Sequence, residues 1–279
     1  MMKTPPFRLI VYFLSAILLS GLESSAGVEE PRADWNKNTV TTLGTASMRV
    51  EYGGTPVSLY DGGPISITEA RRAAYETAKD IAMEKMVSVI KNMRIDQDNT
   101  LGNMLEQESF TRQKLASVLN KIKYEEFSSG FDSSSCRAKL AFGDIISSLP
   151  FSFPENEFPQ RLDVPIETEY TGLIIDARAL AIKSMLFPVI YNKNGLEIIS
   201  RRNINGVMAV KYGMLSYAFD EKEARQNKRL GKRPLYTAAI EENRNCPVLS
   251  EKDVRRIFNS PKTLKAMREC RIVFIIDRE

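Results

Sequence analysis

Four prolines, Pro150, Pro154, Pro159 and Pro165, fall within residues 149–165. A proline lacks the N–H that a helix interior or a central strand requires, so no regular element crosses that stretch. The 279-residue chain is thereby cut into two halves, each long enough for one small domain. Phe151, Phe153 and Phe158 are interleaved with these prolines. They predict a segment that packs against a domain rather than swinging free.

In the first half, the Thr- and Val-rich stretch Thr39–Glu51 reads as extended, and Gly53-Gly54, Asp61-Gly62-Gly63 and Pro64 mark a turn-rich loop after it. Ser66 followed three residues later by Glu69 has the form of a capping box. A long helix is expected to start there. Ile67, Ala70, Ala74, Ala78, Ile81, Met86, Val89, Ile90 and Met93 recur at three-to-four spacing. The small residues early in that stripe imply close packing on a sheet. A second helical pattern covers Met104–Ile122, and Tyr124–Phe131 and Arg137–Phe142 read as strands joined through Asp132-Ser133-Ser134-Ser135. The half reads as strand, helix, helix, strand, strand.

In the second half, Thr171–Arg178 is an apolar run bounded by glycine and charge, which suits a strand buried on both faces. Phe187–Tyr191 and Leu196–Ser200 flank Asn194-Gly195, a hairpin signal. A helical patch over Asp220–Arg229 precedes the strand-like Leu235–Ile240. Ser250 and Ser260-Pro261 each have the chemistry of a helix start, and Arg271–Ile276 closes the pattern as a core strand. The expected class is α+β, two small α/β-type domains over 27–148 and 166–279, each a mixed or antiparallel sheet covered by helices. Residues 149–165 form the linker between them.

At the N-terminus, Lys3 and Arg8 precede the largely apolar Leu9–Leu22, and Glu23-Ser24-Ser25-Ala26 follows. The order charged, apolar, small is that of an export signal, here residues 1–26 with cleavage after Ala26. An uncleaved anchor is the alternative, although the run is shorter than the roughly 20 residues a spanning helix needs. Leu22 stands where a lipid-accepting cysteine would be required. The expected location is the periplasm.

The chain contains no histidine. That removes the commonest general base, the Ser-His and Cys-His nucleophile pairs and the usual zinc ligand. Cys136, Cys246 and Cys270 lack the CxxC spacing of thiol-redox and zinc sites. Either Cys246 pairs with Cys270, both being at strand edges, or all three are small buried hydrophobes. Gly231-Lys232 lacks the remainder of a phosphate-binding loop, and no GxGxxG follows a strand. No metal, cofactor or catalytic residue is expected. Asp61 and Asp176 are the best-placed carboxylates if a hydrolase were hidden here.

Two groups stand out as binding candidates. Lys222, Arg225, Lys228, Arg229, Lys232 and Arg233 form the densest basic cluster, diluted by Glu221 and Glu223. It offers a surface to anionic lipid, peptidoglycan or an acidic partner, or is simply a solvated helix face. Asp176 and Arg178 alternate at a strand end and share a face, as a docking point or as an ion pair. Net charge is only +4 and no nucleic-acid motif occurs, so nucleic acid is not an expected partner.

Tyr170–Leu180, Pro188–Tyr191 with Gly195 and Glu197, Gly213–Ala218 and Glu269–Asp277 together resemble a family of exported bacterial proteins. These are proteins related to the outer-membrane lipoprotein of the flagellar basal disk and to flagellar assembly protein T. The likeness covers roughly residues 165–279, and 39–148 look more loosely like the small α/β module of that lipoprotein group. Members of that family usually read Gly where this chain has Ala179. The resemblance implies a non-catalytic envelope protein, an accessory or assembly component of the flagellar apparatus. Its partners would be envelope or flagellar basal proteins, or a second copy of the chain.

Overall fold

The structure, a computed structural model, describes residues 31–51, 53–129, 132–159 and 168–278. The export signal and the linker residues from 160 to 165 lie outside the described residues, as do Gly130 and Phe131 at the end of an expected strand.

The first half is a four-stranded antiparallel sheet in the order β1-β2-β4-β3, formed by β1 (Arg32–Asp34), β2 (Thr39–Ser47), β3 (Lys123–Ser129) and β4 (Ser133–Ala141). The serines at 133–135, expected in a connection, pair with Ala46, Ser47 and the end of β3 and so belong to β4. Helix α1 (Ile67–Asn92) lies on this sheet. Its capping box is present as read: the Glu69 N–H donates to the Ser66 hydroxyl at 3.2 Å, and the Ser66 N–H donates to the Glu69 carboxylate at 3.0 Å.

The buried stripe of α1 is Ala70, Ala74, Ala78, Ala82, Met86 and Ile90. The sequence pattern placed Ile81 in it, but a strict fourth-residue repeat selects Ala82, because the contact line drifts around the helix as it follows a twisted sheet. Ile67 is exposed, since it precedes the first turn that reaches the sheet. Alanines bring the helix so close that the Thr42 hydroxyl donates to the Ala82 carbonyl at 2.7 Å and Lys85 Nζ to the Leu43 carbonyl at 2.8 Å.

The second helical pattern divides at Glu108 into α2 (Leu101–Gln107) and α3 (Ser109–Leu119). A further helix, α4 (Phe142–Ser148), follows β4 directly and packs on α5 (Gly206–Tyr212) of the second half. The Pro- and Phe-rich segment is strapped onto that half. Phe151 and Phe153 meet Phe187 edge-on at 5.2 and 5.9 Å, and Phe158 meets Phe258 at 5.6 Å. Arg268 and Arg201 donate to the carbonyls of Glu155 and Ser152.

Two sheets build the second half. One is wholly parallel, in the order β8-β12-β5-β9, from β5 (Gly172–Asp176), β8 (Ser216–Ala218), β9 (Pro234–Ala238) and β12 (Ile272–Ile275). Leu173, Ile174 and Ile175 are all fully buried, as a strand covered on both faces requires. Helix α6 (Glu221–Gln226) and a 3-10 turn (Lys228–Leu230) cover one face through Ala224 and Leu230. The other face, with Ile175 and Phe274, joins the main core beside α7 (Glu251–Phe258) and α8 (Pro261–Arg268). The smaller sheet is mixed, in the order β10-β11-β6-β7, from β6 (Ile190–Asn192), β7 (Glu197–Ile199), β10 (Glu241–Asn243) and β11 (Cys246–Leu249). Asn192–Gly195 makes the turn of the β6–β7 hairpin, with Gly195 at φ 76°.

From Pro31 onward the described residues form one compact unit. A continuous core runs from Val40, Met86 and Leu140 through Phe142 and Tyr217 to Ile257 and Phe274. The chain is α+β.

One join between the halves is the turn from β1 to β2; another is made by the N–H groups of Leu186 and Phe187, which donate to the carbonyls of Arg94 and Ile95 at 3.0 and 2.8 Å. Trp35 meets Phe142 at 4.8 Å and Tyr217 at 5.7 Å, both edge-on, and its carbonyl accepts from the Tyr217 N–H at 3.1 Å. Asn38, buried and at φ 53°, donates its side-chain amide to the carbonyl of Tyr212 at 2.6 Å and the Ser216 hydroxyl at 3.2 Å. The turn thus lies along the free edge of β8.

Candidate functional site

Strands in a parallel sheet all begin at one edge, so residues before the strands gather at the amino edge and residues after them at the carboxyl edge. The basic turn 228–233 precedes β9, whereas Asp176 and Arg178 end β5. A five-residue strand is roughly 13 Å long. The two candidate groups therefore occupy opposite edges and do not make one site.

At the carboxyl edge, Arg178 closes a fork on Asp176. Its Nε donates to Oδ1 at 2.9 Å and its Nη2 donates to Oδ2, to which the Tyr236 hydroxyl of β9 also donates. The Arg178 bond, aided by that of Tyr236, holds the Asp176 carboxyl down at about 2. Burial, reinforced by the Asp176 bond, pushes the Tyr236 hydroxyl up to about 12. Ala179 sits at φ 63°, a left-handed conformation costing about 1 kcal/mol for a residue with a Cβ. Its N–H donates to the Asp277 carboxylate at 2.7 Å. Ala179 thus holds a backbone conformation that glycine adopts without that cost.

The folded pKa of Asp176 lies below its unfolded value, so its contribution is complete above about pH 4 and fades as pH falls towards 2. With Arg178 partly in solvent, Asp176→Asn is expected to lose about 1–2 kcal/mol at pH 7. Urea unfolding at pH 7, 4 and 2 checks this: the gap between the two proteins should narrow as the pH approaches 2.

At the amino edge, the structure divides the basic cluster. Lys232 and Arg233 are exposed on the turn after Gly231. Lys228 and Arg229 instead line a cleft of about 540 Å³. Its walls are the β1–β2 turn (Asn36, Lys37, Asn38), the start of α4 (Gly143), the end of α5 (Met208, Lys211, Tyr212) and residues Glu269–Arg271. Arg229 is half-buried and donates to the carbonyls of Tyr212, Gly213 and Cys270, the last at 3.0 Å. Desolvation lowers its pKa to about 10. Lys211, Asn36 and Asn38 escaped the sequence reading. Asn36-Lys37-Asn38 between Trp35 and Thr39 was the legible signal, a cluster of turn-forming residues.

Cys246 and Cys270 are separate free thiols, not a bridge. Cys246 opens β11 of the mixed sheet and packs with Met185, Tyr191 and Val248, while Cys270 precedes β12 of the parallel sheet in the main core. Burial pushes the Cys270 thiol up to about 12 and raises that of Cys246. Both behave as small core hydrophobes. Cys136 is also free and buried.

A third feature is the loop between β2 and α1. It is braced across its neck by the N–H groups of Val57, Ser58 and Ile65 donating to the carbonyls of Arg49, Gly63 and Pro56 at 2.9–3.0 Å. Leu59 and Tyr60 form its tip, with Tyr60 98% exposed and Val50, Leu59 and Ile67 each about half exposed. Asp61 turns back onto this loop, accepting from the Gly63 N–H at 3.2 Å. Bonds from Ser58 and Gly63 lower its carboxyl pKa.

Among the described residues no helix is long and apolar enough to cross a membrane, and no cluster of histidine, cysteine or carboxylate side chains could hold a metal. No curated protein matches the chain. Residues 172–278, which run from the first residue of β5 to just beyond β12 and so take in both sheets of the second half, match the family model described as the second domain of Treponema pallidum Tp0624.

Proposed function

We propose that this chain is an exported periplasmic protein that acts without catalysis, docking onto other envelope proteins as an accessory or assembly component of the flagellar apparatus. The observation that carries docking is the β2–α1 loop. A tip with Leu59 and Tyr60 in water has no role in this protein's own core. The bonds across its neck hold it in shape, so little conformational entropy is lost when a partner covers it. Aromatic side chains presented in this way are common anchors of protein interfaces.

Two further points support the reading. Hydrolysis by a carboxylate pair needs one acid with a raised pKa. Asp61 and Asp176 are both lowered, Asp61 by hydrogen bonds within its own loop and Asp176 by those from Arg178 and from Tyr236 of β9. The export-type N-terminus and the motifs of the second half point to the envelope and to flagellum-associated relatives.

The test is a photo-crosslinking side chain placed at Tyr60 in cells making the native protein. Reproducible crosslinks to flagellar basal or outer-membrane ring proteins, lost on Leu59→Ser, are the expected result. Absence of any reproducible protein neighbour overturns docking through this loop. Crosslinks confined to lipid or wall polymer would favour a peptidoglycan- or anionic-lipid-binding module instead.

A further inference from the structure

We propose that the cleft at the amino edge of the parallel sheet binds a small molecule through a phosphate group, held by Lys211, Lys228 and Arg229. This goes beyond docking at the β2–α1 loop and uses different residues.

Charge carries the argument. Five cations line the cleft, Lys37, Lys211, Lys228, Arg229 and Arg271, against one anion, Glu269. Two are already answered: Lys37 pairs with Asp34 at 3.2 Å and Arg271 with Glu269 at 2.9 Å. Lys211, Lys228 and Arg229 have no carboxylate partner among the described residues. For Arg229, the C-terminus of α5 explains part of the placement, because its guanidinium meets the carbonyls that end that helix. Carbonyls orient a cation without neutralising it, and this one is partly withdrawn from water. Its lowered pKa is the expected mark of a charge desolvated without a counter-charge.

Lys211 stands in the last turn of α5, where the helix dipole favours a cation without neutralising it, and Lys228 lies outside that helix. The Lys211 ammonium lies 5.0 Å from the centre of the Tyr212 ring, and Lys228 makes no ion pair among the described residues. Like charges gathered in one recess repel one another and cost stability unless something anionic occupies the recess. Three unanswered positive charges exceed what one carboxylate neutralises, whereas a phosphate dianion with three acceptor oxygens complements them. The volume lies within the range of about 300–1,000 Å³ usual for small-molecule sites. Gly143 and Met208 supply the less polar wall that strengthens such contacts.

The phosphate could belong to a soluble compound or to a lipid headgroup, and the experiment separates the two. The purified protein is titrated with inorganic phosphate at constant ionic strength while the backbone amide resonances of Gly143, Gly213 and Lys228 are followed. The expected result is a saturable shift confined to cleft residues, weakened about tenfold or more in a Lys211→Ala, Lys228→Ala double variant. A Lys232→Ala, Arg233→Ala double variant, whose side chains lie outside the cleft, should bind as the unaltered protein does. All four side chains are exposed, so both variants should fold, and the same spectra show it.

Vesicles of phosphatidic acid, whose headgroup is a phosphomonoester, in phosphatidylcholine form the second arm. Saturation by phosphate without vesicle binding assigns a soluble phosphate compound. Vesicle binding that free phosphate competes away, and that the Lys211, Lys228 variant loses, assigns a lipid headgroup. Both support the cleft. A linear, non-saturating response, or equal weakening in both double variants, overturns it by showing only diffuse surface charge.

Discussion

Replacing Gly44 with alanine is expected to destabilise the protein by about 3 kcal/mol or more, because the new methyl group meets backbone and not a side chain that could swing away. An added Cβ would lie 1.9 Å from the Ala78 carbonyl oxygen and 2.6 Å from the Ala82 nitrogen. Either β2 or the whole of α1 must move. Moving α1 would also stretch the bonds from Thr42 to Ala82 and from Lys85 to Leu43. Urea unfolding followed by circular dichroism checks this. A loss under about 0.5 kcal/mol, the range of ordinary surface changes, would mean that helix and strand are not in such close contact.

Trp35→Ala is expected to cost about 3 kcal/mol by removing a ring that belongs to both halves. Trp35 packs on Phe142 at the end of the first sheet and on Tyr217 of β8, and Tyr217 packs on Phe274 at 5.7 Å. Edge-on ring pairs contribute about 0.5–1.5 kcal/mol each beyond the area they bury. Trp35→Phe should recover part of the loss by keeping one ring at the join. Trp35 is also the single tryptophan of the chain. Fluorescence of the unaltered protein therefore reports on the join and circular dichroism on the whole. Coincident transitions are expected because one core runs through both halves. Fluorescence changing first would mean that the halves part before they unfold.

Local chemistry was legible in the sequence wherever it is completed within four residues. The Ser66–Glu69 box, the Asn192–Gly195 turn and the helix starts at Ser250 and Ser260 lie where the pattern put them, because their bonds close within one turn of chain. The continuous apolar runs at 173–175 and 272–275 became strands buried on both faces, since only such strands leave no polar side to solvate. The short elements β1, α4, α5 and β8 were not legible. At three to seven residues they carry too little periodicity, and their partners supply the stability.

The candidate sites depended still more on tertiary structure. Asp176 and Arg178 are two residues apart, and their ion pair was one of the two readings the sequence offered. Lys228, Arg229, Lys232 and Arg233 form one cluster along the chain. Folding turned two of them into a cleft shared with Lys211 and the β1–β2 turn, and left two in water. The sequence likewise allowed Cys246 and Cys270 to meet, and their placement in different sheets kept them apart. Caps and turns follow from neighbours along the chain. Strand partners, sheet edges and clefts follow from contacts between residues tens to nearly two hundred positions apart, and only the assembled core selects among them.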